Sequence, residues 1–277
     1  MIILPSSVGV VSGAVFDKDA LNYFSTAGIT DSTAKNQLNN FIKEIKRLGL
    51  WNNMVCWPLR SSQNAGTGTT AYSLGGLATY NATLTSPAPT WTSDGLYTDS
   101  FTKYATANAQ VGDYSNFSLG VIYKLVDVSS NPAFGGRVDG TLCGWGSGGR
   151  STYISADDMR RQIGVDFPET NSGRLTVAGG VASADGTWVM AAGSKSGYVT
   201  TGYLKHTAGQ YSGTKTTTDL ADGTGSTFFI LSRQVGYGAR GTAQAIVYIF
   251  NTSLSESQHY QIYEVVKATL CQGLGLP

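Results

Sequence analysis

The chain has 277 residues, 35 of them glycine, and 13 % of them charged, about half of the roughly 25 % usual in soluble proteins, a composition of strands and turns more than of helices. Its 19 Lys and Arg against 18 Asp and Glu leave a net charge of +1, which provides no electrostatic footprint for nucleic acid or for an anionic membrane. No run reaches the ~18 apolar residues a membrane helix needs, and Met1 to Leu4 meets Pro5 without the features of a signal peptide, so a chain made and assembled in a cytoplasm is expected.

In chain order, residues 16–24 read as a short helix in which Ala20, Leu21 and Phe24 share a face and Gly28 closes the turn. A clearer helix follows at 31–49. Asp31 supplies the N-cap, Ala34, Leu38, Phe41, Ile42, Ile45 and Leu48 recur at three- and four-residue intervals, and Gly49 ends it. Lys35, Asn39, Lys43 and Lys46 fall on the opposite face, which is read as solvated.

From Met54 the period changes from 3.6 to 2. Strands are predicted near 54–60, 71–79, 88–92, 95–98, 103–108, 117–127, 140–145, 150–155, 160–167, 174–180, 187–194, 197–206, 226–233 and 242–250. Phe117, Leu119, Val121, Tyr123 and Leu125 alternate with Ser118, Gly120 and Lys124, but Ile122 and Val126 spoil the polar face, so this strand is expected to be covered on both sides. The run 242–250 is apolar on both faces and reads as central. Short strands without intervening helices exclude βαβ units and leave an antiparallel sandwich or barrel. The absence of a fixed 20-to-50-residue period argues against a solenoid or propeller. The last element is a helix at 255–271, opened by a capping box of Ser255 and Gln258 and striped by Tyr260, Ile262, Tyr263, Val266 and Leu270. Cys56, Cys143 and Cys271 are odd in number and sit in apolar settings, so they read as buried free thiols.

Three stretches carry a resemblance. Ile249-Phe250-Asn251-Thr252-Ser253-Leu254-Ser255 followed by a helix resembles the closing strand and helix start of concanavalin A-like lectin/glucanase domains in their laminin-G-like form. Trp91-Thr-Ser-Asp-Gly-Leu-Tyr97 is similar to that family's early strand pair, and Leu48-Gly-Leu-Trp-Asn-Asn-Met-Val-Cys-Trp-Pro-Leu59 resembles the lead-in such domains carry in bacteriophage virion proteins. The resemblance implies a mainly β, antiparallel jelly-roll sandwich over residues 51–277, including the C-terminal helix, with residues 1–50 as a helical docking or oligomerisation segment.

The chemistry expected on such a frame is sparse. Family members that cleave glycans resemble one another in an E-x-D-x-x-E strand. The four glutamates here are Glu44 and Glu264 on helices, Glu256 at a helix start and Glu169 in a turn, so no strand carries the carboxylate pair that glycoside hydrolysis uses. Asp157 and Asp158 are adjacent and read as a turn. His206 and His259 lack a second ligand at metal spacing, no G-x-S-x-G elbow precedes a helix, and Gly144 to Gly149 lacks the lysine of a phosphate loop.

No catalytic residue and no metal ligand is therefore assigned, and the chain is expected not to be an enzyme. Some laminin-G-like relatives hold Ca²⁺ at the sandwich rim. Asp94, Asp99, Asp113, Asp139, Asp185 and Asp222 stand beside glycines or turns, a placement that turn chemistry alone also produces, and no cofactor is assigned. Trp145, in its glycine run, is the candidate for stacking on a sugar, whereas Trp51, Trp57, Trp91 and Trp188 read as core. The resemblance implies a virion structural protein of a tailed bacteriophage, displayed on the outside of the capsid or tail. Its expected partners are other virion proteins and copies of itself, a trimer being one such form. The alternatives are a tail-fibre module that binds a glycan of the host surface and a glycan hydrolase with an unfamiliar carboxylate arrangement.

Overall fold

The computed structural model describes residues 15–126, 139–146, 151–157, 162–167, 174–179, 186–218, 226–232 and 238–277. The fold is a mainly β, antiparallel jelly-roll sandwich with helices near both ends, as the sequence predicts.

α1 (Lys18–Ala27) and α2 (Ser32–Arg47) come first. Asp17 and Asp31 cap them, the latter accepting the Ala34 N–H at 2.7 Å, and Gly28 closes α1 in the left-handed region, where a glycine has no Cβ to clash. The polar face expected of α2 is interrupted at Asn39. That side chain is buried, and its Oδ1 accepts the Asp17 N–H at 2.8 Å, tying the two helices together.

One sheet is built on β7 (Asn116–Leu125), β12 (Trp188–Ser196), β13 (Val199–His206), β14 (Gly209–Thr216) and β16 (Thr242–Phe250), ordered β14-β13-β12-β7-β16. The far side of β16 is shared by two strands. Its second half pairs with β1 (Met54–Pro58) and its first with β5 (Leu96–Thr98), around an irregularity between Gln244 and Ile246; β4 (Thr90–Trp91) continues beyond β5. The second sheet runs from β11 (Arg174–Ala178) through β10 (Gln162–Asp166), β9 (Thr152–Asp157), β8 (Asp139–Gly146), β15 (Thr227–Ile230), β6 (Ala105–Ala107) and β3 (Ala82–Leu84) to β2 (Thr70–Ala71).

Two apolar layers result. Between the sheets lie Trp57, Phe117, Leu119, Val121, Trp145, Phe167, Phe228 and Val247. On the outer face of the first sheet, Ile122, Met190, Ala192, Ile246, Tyr248 and Phe250 receive Leu38, Phe41, Ile42 and Ile45 from α2, with Ile262, Tyr263 and Val266 from α3 (Glu256–Ala268). β7 and β16 are thus buried on both faces, which is why neither shows a polar side in sequence. The three cysteines are free and buried, and burial pushes their thiols up.

The strands differ from the sequence reading in three places. The strand predicted at 71–79 is confined to Thr70–Ala71 because the buried Asn64 amide takes the next backbone groups, accepting the Tyr72 N–H at 2.9 Å and donating to the Tyr72 carbonyl at 3.0 Å. β14 and β3 were not predicted. In β14 the exposed positions are Gln210, Ser212, Thr214 and Thr216, and the half-buried ones include two glycines, so no apolar alternation marks this edge strand.

Candidate functional site

α3 begins at a complete capping box. Ser255 Oγ accepts the Gln258 N–H, and Gln258 Oε1 accepts the Ser255 N–H at 2.9 Å. From that start Glu256, Tyr260 and Glu264 recur every four residues and share one helix face. The end of α2 brings Glu44, Arg47 and Leu48 opposite them, and β14 adds Gln210. Together they enclose an open groove of about 870 Å³ whose lining also includes Ser257 and Gln261, within the roughly 300 to 1,000 Å³ range of ligand sites.

Three of the four glutamates therefore meet in one place. Each has a partner: Arg47 Nε lies 2.7 Å from Glu44 Oε2, Lys205 Nζ 3.3 Å from Glu264 Oε1, and Ser212 Oγ donates to Glu256 Oε2 at 3.2 Å. The Tyr260 hydroxyl is pushed up to about 12 by burial and then by the negative charge of Glu256. It stays protonated and donates to the Tyr211 carbonyl at 3.4 Å. The groove thus offers carboxylate acceptors, amides that donate and accept, a hydroxyl and part of an aromatic ring, the set that a polyhydroxylated ligand needs. A search for carboxylate pairs along strands overlooks this site, because its members sit on two helices joined only by packing. The spacing Glu256-x-x-x-Tyr260-x-x-x-Glu264 is the signal that was there to be read.

The other face of α3 carries His259, fully buried. Its Nε2 lies 2.9 Å from Ser194 Oγ and its Nδ1 3.1 Å from the Tyr248 hydroxyl. Ser194 donates to the Leu254 carbonyl at 2.8 Å and Ser118 to that of Thr252 at 2.9 Å. With both serine protons so placed, His259 donates from Nε2 and Tyr248 donates to Nδ1. Ser194 then accepts from the imidazole, the reverse of the polarity by which a histidine activates a nucleophile. His206 donates from Nε2 to the Gly179 carbonyl at 2.9 Å while its Nδ1 accepts the Ala208 N–H at 3.1 Å.

The ring singled out from sequence lies elsewhere. Trp145 was expected exposed in a glycine loop; it is on β8, fully buried between the sheets, with Nε1 donating to the Ala109 carbonyl at 2.7 Å and its ring packed against Tyr114, Phe117 and Phe228. The preceding Gly144 serves close strand approach, since a Cβ there would lie 2.4 Å from the Thr152 carbonyl oxygen. Of the calcium candidates, Asp94 pairs with Lys124 and Asp99 with Lys103, each at 2.8 Å, and Asp113 accepts from the Ser115 N–H and hydroxyl. Asp185 and Asp222 lie outside the described residues, as do Asp158, Glu169 and the end of the 144–149 glycine run; the Asp139 side chain is not described either. Among the described residues no group of three His, Cys, Asp or Glu side chains is placed to hold a metal ion.

No family model matches the sequence, and no curated protein matches it. Solved structures do. A mutant of Trypanosoma rangeli sialidase displaying trans-sialidase activity aligns at a TM-score of 0.57 with 11% identity, covering 91% of this chain and 39% of that one. Trypanosoma rangeli sialidase in complex with a difluoro-KDN aligns at 0.52 with 13% identity, over 84% of this chain and 39% of the other. The receptor binding domain of botulinum neurotoxin D aligns at 0.54 with 8% identity, over 78% of this chain and 53% of that one. The chain thus spans about two-fifths of the sialidases and about half of the toxin structure. At these identities the likeness establishes the sandwich fold. It also overturns the expectation that the chain is not an enzyme. That expectation leaned on the fold and on strands without carboxylate pairs, yet solved sialidases share the fold, and three glutamates on helices line one groove here.

Proposed function

We propose that this chain is a carbohydrate-binding β-sandwich protein that holds an oligosaccharide in the groove between α2 and α3. The observation that carries the reading is the groove itself, a concavity of ligand size where Tyr260 lies among Gln210, Gln261, Ser257 and three carboxylates. The likeness in fold to a sialidase in complex with a difluoro-KDN and to a toxin's receptor binding domain supports it. With three carboxylates and one arginine in the lining, neutral sugars are favoured over sialylated or uronate-containing ones. The finer proposal is that the glycan belongs to a bacterial host surface and that the protein is carried on the outside of a tailed-phage virion. In that setting residues 1–50 dock it to other virion proteins or to copies of itself; the support for this part is the phage-like lead-in at 48–59.

The test is a glycan array of bacterial surface oligosaccharides followed by calorimetry. Tyr260→Ala and Gln261→Ala, each removing about 1 to 2 kcal/mol of contact, weaken binding about 5- to 30-fold; Gln261→Ala leaves the thermal midpoint unchanged, whereas Tyr260→Ala, whose ring also packs on the helical layer, lowers it and is assayed at a temperature where it is folded. A folded protein that binds no glycan, or one whose binding ignores both substitutions, overturns the reading. A second reading, hydrolysis of the bound glycan, is prompted by Glu44, Glu256 and Glu264 lining the same groove, since glycoside cleavage uses a pair of carboxylates. Reducing sugar released by the wild type and lost in Glu256→Gln supports it, and no release from any bound glycan removes it.

A further inference from the structure

The hairpin joining β12 to β13 leaves Tyr198 53% exposed, the one exposed aromatic ring among the described residues, with Val199 exposed beside it. A single exposed apolar side chain is ordinary; this one sits on a backbone that is fixed from three sides. Gly197 turns the chain in the left-handed region, and its N–H donates to the Ser115 carbonyl at 2.7 Å. Thr217 donates to the Tyr198 carbonyl from both N–H and Oγ1, at 2.7 and 3.0 Å. Ser115 is in turn fastened to Asp113 Oδ1 from its N–H and hydroxyl, and Asn116 Oδ1 accepts the Ser253 N–H at 2.9 Å. All these bonds hold main chain or neighbouring side chains. The Tyr198 ring and hydroxyl take part in none of them.

We propose that this hairpin tip is a second carbohydrate contact, with Tyr198 stacking on the apolar face of a pyranose while the exposed Asp113, Asn116 and Ser196 around it meet the hydroxyls. The inference rests on the carbohydrate-binding reading and extends it. A tyrosine ring on a rigid backbone covers a large apolar area with only two torsions to freeze, so stacking carries a small ordering cost. The tip and the groove stand at opposite ends of β14, which pairs Thr216 with Val199 and Gly209 with His206. At ~3.4 Å per residue, Gln210 and Thr216 are roughly 20 Å apart. The tip therefore serves sugars beyond those in the groove.

The experiment measures affinity for the bacterial polysaccharide that the wild type binds, with sedimentation velocity in parallel. Tyr198→Ala is expected to lower affinity about 2- to 10-fold, the equivalent of one aromatic contact of about 0.5 to 1.5 kcal/mol, with no change in thermal midpoint; Tyr198→Trp keeps or raises the affinity. Wild-type affinity in Tyr198→Ala overturns the proposal while Tyr260→Ala still reports on the groove, so the two failures are separable. A Tyr198→Ala that changes only the sedimentation coefficient also overturns it and marks the tip as a contact between copies. A wild type that binds no carbohydrate removes both readings together.

Discussion

Burial holds the His259 imidazole down at about 3, so it is neutral in the folded protein across the range in which the unfolded chain, near its ordinary 6.5, takes up a proton. Between those values the unfolded state binds more protons than the folded one, and stability falls as pH falls from about 6.5 towards 3, by about 1.4 kcal/mol per pH unit. Urea unfolding at pH 7, 6 and 5 reads this slope, and His259→Gln is expected to flatten it by that amount while lowering stability at pH 7 through the Ser194 and Tyr248 bonds it weakens. A slope unchanged in the variant assigns the acid sensitivity to other groups. Trp145 illustrates what one residue's neighbours in sequence conceal. Glycines around a tryptophan read as a loop, but here they permit close strand pairing, a long-range fact. Trp145→Ala should therefore cost about 3 to 5 kcal/mol of stability, measured by denaturant midpoint, and leave the affinity of the remaining folded protein for glycan unaltered.

At the scale of elements, the helices were legible because their signals are local: the Asp31 cap, the Ser255 and Gln258 box and the apolar stripes each lie within a few residues. The long strands were legible wherever burial on both faces leaves an apolar run, as in β7 and β16. β14 was not, because an edge strand of Ser, Thr and Gly derives its conformation from the neighbour it pairs with. Half the site was equally hidden, since Glu44 and Glu256 are more than two hundred residues apart and meet only when α2 and α3 pack on one sheet. Gly120 shows such a dependence within a strand. It looks like a weak point in β7, yet a Cβ there would lie 2.1 Å from the Tyr248 ring, so the glycine is the seat of that ring. Gly120→Ala is expected to destabilise by about 1 to 3 kcal/mol through overpacking, despite alanine's lower backbone entropy cost; a neutral or stabilising result in thermal unfolding would show that Tyr248 has room to turn aside.

Across the molecule, the first sheet is the shared wall of two apolar layers. Along β16, Tyr248 and Phe250 face the helices while Val247 and Ile249 face the second sheet. Loosening either layer removes support from the same strands. Leu38 in α2 is fully buried in the helical layer, and no part of it reaches the space between the sheets. Leu38→Ala is expected to cost about 2 to 5 kcal/mol. Because the wall is common, this loss should lower one transition that far-UV circular dichroism, reporting helices and strands, and near-UV dichroism, reporting the packed rings of Trp57, Trp145 and Phe228, follow with the same midpoint. If the helical signal falls first and the aromatic signal stays at the wild-type midpoint, residues 1–50 behave as the separate docking segment proposed from sequence, and the helices are an attachment to a sandwich that stands without them.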